Sequence, residues 1–94
     1  MRLTSAEASV IKGVLYQADP NGEVYLFGSR VDDNRKGGDI DIFFEASKQI
    51  DFKDKLLLQH RLTAGCDTKV DLVIKNPSDS EQLIHTIAKM GVKL

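Results

Sequence analysis

The chain has few of the residues that build disulfide, metal-thiolate or membrane-spanning structures. Its 94 residues include one cysteine, Cys66, and no tryptophan. No disulfide can therefore form within the chain, and a zinc site built on several thiolates is excluded. No apolar run reaches the length of about 18 residues that a membrane helix needs, and the first residues lack the apolar stretch of a signal peptide. We therefore predict a cytoplasmic protein that does not contact a membrane.

An excess of charge of one sign is also missing. The 13 Lys and Arg residues stand against 14 Asp and Glu residues, which gives a net charge of -1. Because proteins that bind nucleic-acid phosphates usually carry basic patches, we expect no direct nucleic-acid binding. The 41% share of hydrophobic residues is typical of a globular domain, and we interpret residues 1–94 as a single domain. A domain of this size has one thin core, so we do not expect a deep cleft of its own.

The spacing of the apolar residues predicts the order of helices and strands. Helical spacing and capping signals alternate with strict apolar-polar alternation along the chain. The predicted elements are a helix over 5–18, a strand over 23–27, a polar loop over 29–38, a strand over 39–45, a helix over 51–64, a strand over 69–75 and a helix over 79–90.

Four local signals set the helix ends in this prediction. Thr4 with Glu7, and Ser78 with Glu81, have the spacing of a capping box at a helix start. Gly65 and Gly91 follow apolar helical stripes, where glycine commonly ends a helix.

These elements predict a small α/β (α+β) domain in the order α-β-(α)-β-α-β-α, where the bracketed helix is a single turn in the 29–38 loop. We expect a mixed three-stranded sheet with the helices packed on one face. The opposite face of the sheet then carries carboxylates.

The carboxylates of that face form the main candidate site. Asp39 and Asp41 are two residues apart in one strand, so their side chains point to the same side and their Cα atoms lie about 6.5 to 7 Å apart. Asp71 takes the same face of another strand. Three neighbouring carboxylates repel one another, and Mg²⁺ is the natural cation to neutralise them. Two such ions about 4 Å apart would fit an Asp-x-Asp pair.

A second signal comes directly before this segment. Phe27-Gly28-Ser29-Arg30 ends the preceding strand, and glycine lets the backbone approach a ligand closely while free N–H groups and a hydroxyl face an anion. A phosphate site beside a metal site indicates phosphoryl or nucleotidyl transfer. The Walker A motif, the dinucleotide fingerprint and a complete calcium loop are all absent.

Gly28-Ser29, nine intervening residues, Asp39-Ile40-Asp41 and a later Asp71 in a Val-Asp-Leu-Val strand together resemble the nucleotidyltransferases of the DNA polymerase β superfamily. Within it, the chain is similar to the minimal nucleotidyltransferases (MNT), stand-alone prokaryotic proteins often paired with a HEPN-domain protein as toxin and antitoxin.

The resemblance implies a role for each matching residue. Gly28 and Ser29, with Arg30, would bind the phosphates of a nucleoside triphosphate, and Asp39 and Asp41 would bind two Mg²⁺ ions. Asp71 would bind the catalytic metal ion and help to activate the incoming hydroxyl. The resemblance also implies transfer of AMP from ATP to a hydroxyl of a partner protein, with a HEPN-domain protein as the expected partner.

Two alternatives remain open at this point. The chain could be a non-catalytic antitoxin or binding subunit that neutralises its partner by occlusion, or a transferase that acts on small molecules. The second is disfavoured because few residues remain to build an acceptor pocket. We expect the acceptor side of the site to come from a partner or from a second copy of this chain.

The remaining polar residues give weaker signals. Arg35 and Lys36 suit either a phosphate-facing loop or a solvated one. His60 and His85 are predicted to lie on helices of the core side as ordinary surface or edge histidines. Glu45 shares the aspartate face and is interpreted as a solvated strand end.

Overall fold

The computed structural model describes residues 3–28 and 39–94, so the predicted 29–38 loop with its helical turn lies outside the described residues. The elements are α1 (Ser5–Ala18), β1 (Glu23–Phe27), β2 (Ile40–Glu45), α2 (Phe52–Cys66), β3 (Val70–Lys75), α3 (Leu83–Lys89) and β4 (Val92–Lys93).

The strands form a mixed sheet in the order β3-β2-β1-β4. β1 runs antiparallel to both β2 and β4, whereas β2 and β3 are parallel. The mixed α/β class and the mixed pairing agree with the sequence prediction, but the sheet has four strands and not three. β4 has only two residues, too few to show any alternation in the sequence.

Gly91 makes the fourth strand possible. A Cβ atom at this position would collide with the carbonyl oxygen of Leu26 in β1. Only glycine lets the chain leave α3 this close to β1, and Val92 then pairs with Leu26. Gly91 therefore serves the close approach of β4 as well as the end of the helix.

The start of α1 follows the sequence prediction. The Glu7 N–H donates to Thr4 Oγ1 at 3.0 Å, and the Thr4 N–H donates to Glu7 Oε1 at 2.9 Å. This reciprocal pair is the capping box predicted from the spacing of the two residues.

The end of α2 differs from the prediction. The helix includes Gly65 and continues to Cys66, and Asp67 ends it in the left-handed region at φ 53. Asp is one of the few residues besides glycine that adopts this conformation at low cost. The expectation that Gly65 ends the helix was therefore wrong.

The start of α3 also differs. The predicted capping box of Ser78 and Glu81 does not form, and Ser78 Oγ instead donates to Gln49 Oε1 at 2.9 Å. The helix begins later, at Leu83, where the Gln82 N–H donates to His85 Nδ1 at 3.1 Å.

The helices cover both faces of the sheet, which corrects the prediction of helices on one face. α1 and α2 cover the core face, whose buried side chains are Ile11, Leu15, Val24, Leu26, Ile40, Ile42, Phe44, Ala46, Ile50, Leu58, Leu62, Val70 and Leu72.

α3 lies on the opposite face, with the His85 ring stacked on Phe43 at 5.5 Å and Lys89 Nζ 2.7 Å from Glu45 Oε2. Phe43 is fully buried on that face, and α3 supplies the cover that this aromatic side chain needs. His85 is only 5% exposed, so its assignment to the surface of the core side was wrong. Glu45 is paired with Lys89 and is not simply solvated.

A buried carboxylate links two segments that are far apart in the sequence. Asp19 is 1% exposed and accepts hydrogen bonds from the Ser47 N–H and the Ser47 hydroxyl, both at 2.6 Å. Burial raises the pKa of Asp19, but the hydrogen bonds from Ser47, Asn21 and Lys48 outweigh burial and lower the pKa below its usual value. Asp19 thus ties the turn after α1 to the segment after β2.

We expect Asp19→Asn to lower the free energy of unfolding at pH 7 by about 2 kcal/mol, because charge-assisted hydrogen bonds are lost. A lowered pKa stabilises the fold above the unfolded pKa, and this contribution is lost as the pH falls through the folded pKa. The difference between wild type and variant should therefore shrink below about pH 4. Urea unfolding at pH 7 and pH 3 measures it.

The matched control is Asp67→Asn, because Asn adopts the left-handed conformation of this exposed residue equally well. Equal urea midpoints for Asp19→Asn and the control at pH 7 would contradict the structural role of Asp19.

Candidate active site

The parallel pairing of β2 with β3 brings the predicted aspartates to one end of the sheet. Asp41 and Asp71 are register partners in this ladder, and Asp39 directly precedes β2. Neighbouring strands lie about 4.8 Å apart, so Asp41 and Asp71 are adjacent on the backbone. Alternation places Asp39 on the same face as Asp41. This is the face opposite the main core.

The three carboxylates have different surroundings. Asp41 is partly buried, whereas the side chains of Asp39 and Asp71 are 50% and 42% exposed. Lys69 Nζ lies 3.9 Å from Asp39 Oδ2 and 3.7 Å from Asp71 Oδ1. In residues 3–28 and 39–94, with the side chains in their present positions, no three Asp, Glu, His or Cys residues form a group that could hold a metal ion. Two of the aspartates are instead paired with an ammonium group.

Among the described residues, the surroundings of Asp41 disfavour its charged form. Burial raises the pKa of Asp41, and the charges of Asp71 and Asp39 raise it further. The Lys69 ammonium lowers it in part. Because the carboxylates repel one another, a cation between them would relieve an unfavourable interaction.

Gly28 brings the backbone against the same carboxylate. It follows β1, whose last residue Phe27 is the register partner of Asp41. Gly28 has φ 79, and a Cβ atom here would collide with Asp41 Oδ2. Glycine is therefore required both for the backbone conformation and for the space. The other two predicted phosphate-binding residues, Ser29 and Arg30, lie outside the described residues, as do Arg35 and Lys36.

The donor set fits a hard divalent cation. Carboxylate oxygens are the ligands that Mg²⁺ prefers, and the register places Asp41 beside Asp71 with Asp39 at the same strand end. Binding requires the carboxylates to turn inward, which the exposed side chains of Asp39 and Asp71 allow. As placed, the three aspartates do not form such a group, and they would hold a metal ion only after this movement of their side chains.

One residue at this site, Lys69, was not singled out by sequence reasoning. Lys69 is two residues before Asp71, so the same alternation that selected Asp71 could have placed the lysine on its face. His85, which was expected on the core side, packs on Phe43 on the face that carries the aspartates. His60 is exposed on α2 and does not join the site.

A concavity of about 330 Å³ lies elsewhere, between the end of α1 and the first half of α2. Its lining includes Ala18, Ile50, Leu57 and Arg61 but none of the three aspartates. We place the candidate chemistry at the aspartates, because the concavity lacks a comparable set of convergent carboxylates.

Comparison with known proteins gives one family. The family model described as "Polymerase beta, Nucleotidyltransferase" matches residues 10–94, which include Gly28, Asp39, Asp41 and Asp71. A comparison with curated proteins gave no match. Within the described part of the chain, no helix has the length and apolar character needed to cross a membrane.

We expect Gly28→Ala to destabilise the fold by about 1 to 2 kcal/mol, because alanine is strained at positive φ and its Cβ meets the Asp41 carboxylate. Urea unfolding measures the loss. Gly13→Ala is the control, since nothing lies within 4 Å of the added Cβ in that helical position and alanine favours a helix. Equal effects of the two substitutions would contradict the described contact.

We expect Asp41→Asn to raise the free energy of unfolding by about 0.5 kcal/mol at pH 7 without divalent cations, because it removes a like-charge neighbour. A raised pKa means that ionisation of Asp41 costs stability as the pH rises. The gain should therefore vanish in acid, below the usual pKa of Asp. Thermal unfolding in EDTA between pH 3 and pH 7 measures it, and a loss of stability at pH 7 would contradict the repulsion.

Proposed function

Because the chain belongs to the polymerase beta nucleotidyltransferase family, we propose that it transfers a nucleoside monophosphate, AMP from ATP, to a hydroxyl of a partner protein. We further propose that it needs Mg²⁺ and acts as the antitoxin of a HEPN/MNT pair. The observation that carries the catalytic proposal is the register of Asp41 with Asp71, with Gly28 against the Asp41 carboxylate.

The three aspartates are assigned to metal binding because of their charge and position. Asp39 and Asp41 would hold two Mg²⁺ ions, and Asp71 would share the ion on the acceptor side. When bound, the ions would polarise the triphosphate and lower the pKa of the attacking hydroxyl. The raised pKa of Asp41 supports this assignment, because a carboxylate in a crowded negative site gains most from a cation.

The nucleotide is assigned to the edge of the sheet beside Gly28. Gly28 is exposed, so a phosphate group could approach its backbone next to the carboxylates. Ser29 and Arg30 are the proposed further phosphate ligands, on the sequence motif alone. We assign Asp71 to activating the acceptor hydroxyl. Asp71 lies on β3, and β2 with Asp41 separates this strand from β1 and Gly28.

A protein acceptor is favoured by exposed apolar surface on the sheet face that carries the aspartates. α3 lies on the same face of the sheet as the aspartates, and Leu83, Ile87 and Met90 are 75%, 50% and 81% exposed. Exposed apolar side chains at helical spacing suit contact with another protein. The same observation favours the second candidate, a non-catalytic antitoxin that acts by occlusion.

The proposal is tested by incubating the protein with α-labelled ATP, Mg²⁺ and the product of the neighbouring gene, which we propose to be a HEPN-domain protein. We expect label on the partner, and a loss of at least about a hundredfold in Asp39→Asn, Asp41→Asn and Asp71→Asn, because each removes a proposed metal ligand. Glu45→Gln is the control, since Glu45 shares the face but is paired with Lys89. EDTA should also abolish the transfer.

Two outcomes would contradict this account. Undiminished transfer by Asp39→Asn or Asp71→Asn would exclude the metal assignment. Full neutralisation of the toxic partner by a variant that lacks all three carboxylates would favour occlusion over catalysis.

A further inference from the structure

Lys69 is held at the candidate active site by its backbone as well as by its charge. Its carbonyl oxygen accepts a hydrogen bond from the Ile40 N–H at 3.0 Å, at the first residue of β2. Lys69 therefore lies opposite Asp39, directly before β3, and two residues before Asp71 in the chain. Alternation directs its side chain to the face of the aspartates.

The ammonium group of Lys69 is shared between the carboxylates of Asp39 and Asp71. It lies 3.9 Å from Asp39 Oδ2 and 3.7 Å from Asp71 Oδ1, which are ion-pair distances longer than a close hydrogen bond. The Lys69 side chain is 65% exposed. Ion pairs of this kind are weak individually, and the flexible stem lets the ammonium leave at low cost.

From this position we infer that Lys69 is an internal counter-cation that competes with a divalent metal ion for Asp39 and Asp71. The inference rests on the proposed function, because it concerns the same metal site. Lys69 offsets the carboxylate repulsion while no metal is bound, and a divalent ion displaces the ammonium from the same oxygens. Lys69 thus lowers the affinity of these two carboxylates for a metal ion.

Manganese(II) alone is the probe, and free Mn²⁺ is followed by its paramagnetic resonance signal at constant ionic strength. We expect Lys69→Met to bind Mn²⁺ about threefold to tenfold more tightly than wild type, since an ion pair near 4 Å in solvent changes a binding constant by about that factor. Lys69→Arg, which keeps the charge, should stay close to wild type.

Lys75→Met is the matched control. Lys75 is the last residue of β3, and it lies about 20 Å from Lys69 at the usual rise per residue, beyond the screening length at physiological salt. The control makes the same change in net charge, and we expect its Mn²⁺ affinity to stay within about twofold of wild type. Thermal unfolding adds a second measurement, because Lys69→Met should show a larger rise in melting temperature on adding Mn²⁺.

The outcomes separate this inference from the proposed function. If wild type binds Mn²⁺ and Asp71→Asn does not, but Lys69→Met binds no more tightly than Lys75→Met, the competition is overturned and the metal site stands. If Lys69→Met binds more weakly while its urea midpoint shows a folded protein, the competition is likewise overturned. If wild type binds no Mn²⁺, the metal assignment fails and the role of Lys69 fails with it.

Discussion

The candidate site depends on the parallel pairing of β2 with β3. This pairing places Asp41 directly beside Asp71, and Asp39 precedes the same strand end. Adjacent like charges oppose the pairing, so the ladder must be stabilised by other interactions. The apolar side chains that alternate with the aspartates provide them, since Ile40, Ile42, Val70 and Leu72 are buried under α1 and α2. A shift of one residue in register would turn these side chains to the wrong face.

The two faces of the sheet therefore have different roles. The core face supplies the stability that offsets the carboxylate repulsion. On the other face, α3 covers Phe43 and Glu45, which are the residues that follow Asp41 along β2. Asp39 and Asp71 remain about half exposed at the beginning of their strands. α3 thus covers the middle of this face and leaves the carboxylates of Asp39 and Asp71 accessible to solvent.

Local signals in the sequence were sufficient for much of this fold. The Thr4–Glu7 capping box and the alternation around Asp41 and Asp71 depend on neighbours a few residues away, and both elements form where predicted. The side on which α3 packs depends on Phe43, far away in the sequence, and the periodicity of a helix does not say which sheet face it meets. β4 was missed for a similar reason, because its pairing with β1 is a tertiary contact that Gly91 permits.

The sequence predicted the three aspartates of the candidate site but not the lysine that lies beside them. Asp39, Asp41 and Asp71 were found because alternation places carboxylates on one face, but the pairing of Lys69 with two of them needed the register of two strands.

The central claim is that these carboxylates bind divalent cations together with a nucleoside triphosphate. A crystal structure with Mn²⁺ and a non-hydrolysable ATP analogue, with anomalous scattering to locate the metal, tests it most directly. The account predicts Mn²⁺ about 2 to 2.5 Å from oxygens of all three aspartates, with the phosphates against Gly28. Nucleotide bound in the concavity beside Arg61, with no metal at the aspartates, would contradict it.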